Sequence, residues 1–281
     1  MGKADLHIHT NTSDGDLSPE ELINKVSKKN LQIIAITDHD TINGYLDAKK
    51  FAAEKEIELI PGAEISTVWN RRELHVLGYG FDEEDDDFLR LIANQKRARR
   101  RRMKAIVEVL QGEGIDIDYD EVRAESHPGN IGRPHAASVL IQKGYVASVS
   151  EAFIRYLSTK KITGIKTEYA VLEDVISIVH EAGGVLSIAH PGPLYTQSEM
   201  KELLKHPFDG IECIHPSHSY KVQKMFLDMA KSNNLLITGG SDFHGTGKSE
   251  YDPYLGVVTI GLQFVEALKR SARSRKNMIV Q

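Results

Sequence analysis

The stretch Asp5-Leu6-His7-Ile8-His9-Thr10 decides how the rest of the chain is read. It reads as a β-strand, and side chains two apart on a strand point to the same face. His7 and His9 can therefore hold one metal ion together. A bare His-x-His pair is a weak signal, because imidazole serves many other purposes. Its meaning depends on what accompanies it.

Outward from this strand, Thr12-Ser13-Asp14-Gly15-Asp16 is a polar loop, and Ser18-Pro19-Glu20-Glu21 offers an N-cap, a proline at the first helical position and acids in the first turn. A helix is expected to about residue 29. Residues 32–37 form an apolar, β-branched run of the kind buried in a parallel sheet, ending at Asp38-His39-Asp40. A helix over 43–54 and a strand over 57–60 follow, Pro61-Gly62 turns the chain, and Ala63-Glu64-Ile65-Ser66 leads into a hairpin whose return limb is Glu73-Leu74-His75-Val76-Leu77. This alternation predicts a wound parallel sheet.

The pattern then changes. Residues 83–159 read as a small helical insertion without a buried strand, containing an acidic cluster (83–87) and the run Gln95-Lys96-Arg97-Ala98-Arg99-Arg100-Arg101-Arg102. The arginines are read as a solvated helix face balanced by the acids, not as a track for long nucleic acid. The βα alternation resumes with a helix over 171–182 and a strand over 185–189 that ends at His190-Pro191-Gly192. Further strands are expected over 210–214, 235–238 and 255–260, with helices over 199–204 and 219–232. The strand at 235–238 runs into Gly239-Gly240-Ser241-Asp242-Phe243-His244. About seven strands, mostly parallel, fit an α/β barrel of the (β/α) type.

Composition narrows the possibilities. With 281 residues, 41% hydrophobic and 27% charged, the chain can bury a sizeable core without staples. A formal net charge of −5 argues against a whole-surface nucleic-acid binder, so a polyanion must meet a local cationic site. Cys213 is the single cysteine, which excludes an intramolecular disulfide, and neither a signal peptide nor a membrane span is read. A cytoplasmic protein without a membrane partner is expected.

The C-terminal ends of the expected strands carry His7 and His9, Asp38 with His39, Glu64, His190, and Asp242 with His244. Barrel active sites are assembled at that face. So many imidazoles and carboxylates in one mouth would leave charged and polar groups unpaired unless a cation satisfied them. Mixed His, Asp and Glu ligation without thiolate suits zinc, manganese or iron, and a bridging carboxylate suits a multinuclear site.

With these residues in view, the ordered set His7-Ile8-His9, Ser13-Asp14-Gly15, Thr37-Asp38-His39-Asp40, Pro61-Gly62-Ala63-Glu64-Ile65-Ser66, Ala189-His190-Pro191-Gly192 and Gly240-Ser241-Asp242-Phe243-His244 resembles the PHP (polymerase and histidinol phosphatase) family of metallo-phosphoesterases. It is most similar to the branch of nucleoside 3′,5′-bisphosphate phosphatases and 5′-to-3′ exoribonucleases. The resemblance implies a distorted (β/α)7 barrel formed by 1–82 and 160–281, with 83–159 covering the active site. It also implies three divalent metal ions held by His7, His9, Asp14, His39, Glu64, His75, His190, Asp242 and His244, with Glu64 bridging two of them. Asp14 and His75 enter the ligand set through the resemblance alone. Asp5 and Asp38 are read as acceptors that orient the histidine ligands.

Three divalent ions and three carboxylates leave about +3, a field that suits a phosphate. A metal-bound hydroxide would then attack phosphorus in line. The resemblance implies that Arg133, at the start of a helix with Pro134 and His135, drops over the mouth, and Arg133 and His135 are assigned as substrate contacts. Lys161 stands where relatives carry a lysine after Arg-Gly, whereas here Thr159-Lys160 precedes it. His218 completes the assigned contacts, and the general acid is unassigned. The expected substrate is a small nucleotide or a short single-stranded oligonucleotide, losing the 3′-phosphate of a nucleoside 3′,5′-bisphosphate or being cleaved 5′ to 3′. The alternatives are a phosphomonoesterase for a metabolite such as histidinol phosphate and a metal-binding module without catalysis.

Overall fold

The computed structural model describes residues 3–126, 129–192, 194–245 and 251–279. In chain order its elements are β1 (Lys3–Ile8), α1 (Pro19–Ser27), β2 (Ile33–Ile36), α2 (Asn43–Glu54), β3 (Glu58–Ile60), β4 (Gly62–Trp69) and β5 (Arg72–Tyr79). Helices follow: α3 (Asp86–Gly112), α4 (Tyr119–Glu125), α5 (Arg133–Gln142), α6 (Val149–Ala152) running into a π-helical turn (Phe153–Leu157), α7 (Lys160–Thr163) and α8 (Leu172–Glu181). The remainder is β6 (Val185–Ile188), α9 (Gln197–Leu203), β7 (Gly210–Ile214), α10 (Tyr220–Ser232), β8 (Leu236–Gly239), a short β9 (Ile260–Gly261) and α11 (Leu262–Ile279). None of the helices among the described residues is long and apolar enough to cross a membrane.

The strands form two open sheets, β3-β2-β1-β9 and β4-β5-β6-β7-β8, where a closed barrel was expected. Pairing is parallel for β1-β2, β2-β3, β6-β7 and β7-β8, and antiparallel for β1-β9, β4-β5 and β5-β6. At one end, among the described residues, the sheets meet only through isolated bridges, His39 with Glu64 and Ile8 with Phe243. Pro61 interrupts the ladder between β3 and β4, and the chain leaves one sheet for the other at Gly62. A Cβ on Gly62 would lie 2.8 Å from the Ile36 carbonyl oxygen, so the crossing needs glycine.

The space between the sheets is filled by Ala4, Leu6, Ala35, Leu77, Tyr79 and Val185, closed from below by Val265, Leu268 and Ala272 of α11. The sequence reading did not anticipate α11, although those residues recur at helical spacing. It also placed a strand over 255–260, of which only Ile260 pairs, because the preceding residues form turns. On the outer face of β1 and β2, α1 and α2 pack Leu22, Ile23, Val26 and Ala48 against Ile8, Ile34 and Ile36. The α1 start is as expected: Ser18 accepts from the Glu21 amide while Glu21 reaches back to the Ser18 amide.

Between β5 and β6 every regular element among the described residues is helical. The long α3 joins two cores, placing Phe88, Leu91 and Ile92 against the sheet layer and Met103, Ile106, Val107 and Leu110 in a separate helical cluster. Between these apolar halves lies a polar seam. Gln95 donates to the Ser66 carbonyl and accepts from the Ala170 amide. Arg99 donates to Asp40 and, at 2.8 Å, to Ser66 Oγ. Arg102 pairs with Glu73. Arg99 and Arg102 are 8% and 9% exposed, so the arginine run is not a uniformly solvated face. Spacing of three along a helix turns both inward, while Arg97 and Arg101 bond outward to Asn94 and Glu168.

Asp40 is fully buried, so loss of its cation leaves an uncompensated charge. Arg99→Met should lower the unfolding free energy in urea by about 3–5 kcal/mol. Asp40 sits at φ +50 and accepts from the Ser66 amide, a conformation asparagine tolerates. The double variant with Asp40→Asn should recover most of the loss, and no recovery would mean that the pair is not what fastens α3.

Candidate metal centre

The site lies where the two sheets meet. His7 and His9 leave β1 toward it, and the loop after them is shaped by Asp38, whose carboxylate accepts from the Thr10 amide (2.7 Å) and from the hydroxyls of Thr10, Thr12 and Ser13 (2.7, 2.8 and 2.5 Å). This loop carries Asp14. Asp38 thus orients backbone and hydroxyls, not histidine rings as expected. Asp5 behaves alike, accepting from the amides of His7 (3.2 Å) and Ser241 (2.9 Å). Gly44 of α2 makes the Asp38 network possible, since a Cβ there would collide with the Asp38 carboxylate.

On the β4-β5 hairpin, Ser66 pairs with His75 and Glu64 with Leu77, and the period of two puts Glu64, Ser66, Glu73 and His75 on one face. The Glu64 carboxylate, 1% exposed, is the hub. Its Oε2 lies 3.2 Å from His7 Nε2, His9 Nε2 and His39 Nδ1, and its Oε1 lies 2.9 Å from His75 Nδ1 and His190 Nε2. Asp242 Oδ1 stands 3.2 Å from His9 Nε2, and Asp14 faces His9, His39 and His244 at 3.5–3.8 Å. The nine residues expected as ligands are therefore brought together. Overlapping sets, His9-Asp14-His39-His244, His7-His9-Glu64-Asp242 and His39-Glu64-His75, each converge within 4.8 Å, as donors to a metal ion must.

Among the described residues, His9 Nδ1 and Nε2, His39 Nδ1 and Asp14 Oδ1 are buried without a hydrogen bond. Buried ring nitrogens and carboxylate oxygens that converge without a hydrogen bond are what a cation satisfies when it displaces the histidine protons. Charge in the cluster follows the same logic. Burial opposes ionisation of Glu64 and Asp242, yet the surrounding histidines hold both well below the carboxylate range. Burial also opposes protonation of His9, but Asp242 and Glu64 raise it to about 10, and His75 is raised to about 9 chiefly by Glu64. For His39, burial prevails over Glu64 and Asp14 and keeps it well below the imidazole range. The acids are anionic and compete for positive charge.

Above the cluster is a cavity of about 630 Å³ lined by Asp14, His39, His75, Asp242 and His244 on one side and by residues of the helical stretch on the other. Arg133 lines it, with its guanidinium 3.9 Å from Glu73 and 5.5 Å from the centre of the Phe153 ring. Asn130 ties this roof to the floor, donating to the carbonyls of His39 and Asp40 at 2.8 Å. The other assigned contacts lie elsewhere. Lys161 is exposed and paired with Glu113 at 2.7 Å, and Lys160 is exposed on the same helix. His135 is buried and accepts from the Gly132 amide at the start of α5. His218 spends both ring nitrogens on backbone, at Gly192 N and Cys213 O, each 3.0 Å away. None of these four lines the cavity.

The sequence reading missed Glu73, Arg99, Arg102 and Glu212. Glu73 precedes His75 by two and so shares its face, and the two arginines are three apart on α3. Glu212 is an acid inside an apolar strand, a signal that charge there has a partner.

The chain is similar to known enzymes over most of its length. A 5'-3' exoribonuclease of Haemophilus influenzae is 36% identical over 247 residues, 86% of this chain and 90% of that protein. A 3',5'-nucleoside bisphosphate phosphatase of Chromobacterium violaceum is 32% identical over 258 residues, 90% of each. A crystal structure from Bifidobacterium adolescentis, assigned as a metal-dependent phosphoesterase, superposes with a TM-score of 0.86 at 31% identity, covering 95% of this chain and 96% of that one. Residues 5–236 match the PHP domain model, and the chain belongs to the PHP domain family.

Proposed function

We propose that this protein is a metal-dependent phosphoesterase acting on nucleotides. It would remove the 3′-phosphate of a nucleoside 3′,5′-bisphosphate, cleave short 5′-phosphorylated RNA from its 5′ end, or do both. The observation that carries the reading is the set of buried, unpartnered donor atoms beneath a cavity whose other wall presents Arg133. The enzyme relatives bearing those two activities supply the substrate class.

In this reading His7, His9, Asp14, His39, Glu64, His75, His190, Asp242 and His244 would hold three divalent ions, manganese, iron or zinc. Bound there, the ions would supply Lewis acidity and activate water at neutral pH. The chain's own residues do the rest. Arg133 offers a planar donor fork to a phosphate. Its guanidinium lies 3.9 Å from Glu73, which is itself paired with Arg102. Met103, Ile106, Phe153 and Tyr169 line the wall with apolar and flat surfaces that suit a nucleobase. The helical stretch 83–159 acts as the roof, so the cavity admits one end of a substrate and excludes the middle of a duplex. Its volume is that of a small-molecule site. A reducing cytoplasm suits the single cysteine.

Chelation should abolish hydrolysis of both substrate types, and elemental analysis of active enzyme should find more than one divalent ion per chain. Asp14→Ala and His39→Ala should each cost on the order of a thousandfold or more in rate while the circular dichroism spectrum is kept. Activity within tenfold of wild type in either variant would place the chemistry elsewhere.

Arg133→Ala should lose about 2–4 kcal/mol of transition-state stabilisation, read as kcat/KM, with poor rescue by Arg133→Lys. Lys161→Ala should stay within about twofold of wild type on the same scale of error, because its ammonium is held by Glu113 outside the cavity. The reverse ranking of the two variants would return the cationic contact to Lys161.

A further inference from the structure

The strand β7 lies between β6 and β8 in the five-stranded sheet and carries none of the residues proposed as ligands. Its end nevertheless points polar side chains at them. Glu212 is completely buried, with Oε1 2.9 Å from His7 Nδ1 and Oε2 accepting from the His190 amide at 2.6 Å. His215 is 1% exposed, with Nε2 3.3 Å from Asp242 Oδ2.

Hydrogen-bond chemistry decides where the protons sit. An ionised carboxylate only accepts, so the bond to Glu212 keeps a proton of His7 on Nδ1. His7 Nε2 lies 3.2 Å from Glu64 Oε2 and 3.3 Å from Asp242 Oδ1, and a metal ion held among these groups would take the Nε2 lone pair. The Ser217 amide can only donate, and it donates to His215 Nδ1 at 3.1 Å. His215 therefore carries its proton on Nε2 and donates it to Asp242 Oδ2. Asp242 Oδ1 is left facing His7 Nε2 and, at 3.2 Å, His9 Nε2. Glu212 of β7 and His215 just beyond its end thus fix the orientation of one imidazole and one carboxylate contributed by two other segments.

We infer that Glu212 and His215 are positioning residues that set the tautomer of His7 and the rotamer of Asp242, so that both present lone pairs to the same metal position. The inference rests on the metal reading of the site. Its logic is that of the carboxylate–histidine–metal arrangement, in which the outer partner governs how strongly the inner one binds. Neither residue touches the cavity, so neither is expected to contact substrate.

The test measures zinc affinity of the metal-free protein by competition with a chromophoric chelator, in wild type, Glu212→Gln, His215→Gln and His215→Leu. The glutamine at 212 can offer an amide proton to His7 Nδ1 and so favour the wrong tautomer, and affinity should fall roughly 10- to 100-fold. The glutamine at 215 can still donate to Asp242 and should stay within about threefold, whereas leucine, which cannot, should lose tenfold or more. If Glu212→Gln does not fold, the contrast at 215 decides the matter. In the zinc-loaded wild type, histidine ¹⁵N spectra should place the proton of His7 on Nδ1 and that of His215 on Nε2. Equal zinc affinity in every folded variant, or the opposite tautomers, would overturn the inference while leaving the metal reading intact. A wild type that takes up no divalent ion would overturn both.

Discussion

The structure depends on one buried carboxylate. Glu64 is withdrawn from water and enclosed by ring nitrogens of His7, His9, His39, His75 and His190, which arrive from both sheets. An anion in such a place is costly unless positive charge is near. The surrounding imidazoles also crowd one another, with the ring centres of His9 and His39 only 4.7 Å apart. The same constraint explains why the sheets meet here: the bridge between His39 and Glu64 is one of only two backbone bridges among the described residues that join them, and both lie beside the cluster. The site and the junction of the two sheets therefore share the residues His39 and Glu64.

A second layer of charge connects this hub to the helical stretch. Asp40 and Glu73 leave the two sides of the hub and are met by Arg99 and Arg102 from one face of α3. Buried pairs of this kind add little net stability compared with apolar packing, but removing one partner is expensive. They therefore specify position more than they add strength. Here they set the helix that roofs the cavity at a defined height above the cluster, assisted by Gln95 and Asn130. Arg133 and the aromatic wall then face the donor atoms across a space of nucleotide size.

Reading the chain residue by residue went far because this architecture writes its chemistry at strand ends. The His7-Ile8-His9 spacing, the acid-histidine pair at Asp38-His39 and the Asp242-Phe243-His244 turn are local patterns, each visible without a neighbour. The capping box at Ser18 and Glu21 was equally local. What failed was different in kind. The strand expected before Ile260 had the right composition but no partner in register, and α11 was passed over although Val265, Leu268 and Ala272 sit at helical spacing. Lys161 and His218 were assigned by position in a pattern, and neither assignment could see that Glu113 or the Gly192 amide already claimed the group.

By itself, then, the sequence determined the alternation of strands and helices, the helical character of the stretch after β5, and the gathering of His7, His9, His39, Glu64, His190, Asp242 and His244, since these follow from periods of two and 3.6 and from residues at element ends, whereas Asp14 and His75 came from the family resemblance. Only the tertiary structure decided that the sheets stay open and meet at two bridges among the described residues, and that two of the five arginines in the run turn inward to pair with buried acids. It alone put Glu212 against His7, two residues 205 positions apart. The physical reason is that burial and hydrogen-bond partnership are properties of a place, created when distant segments meet, whereas propensity and spacing belong to the segment itself.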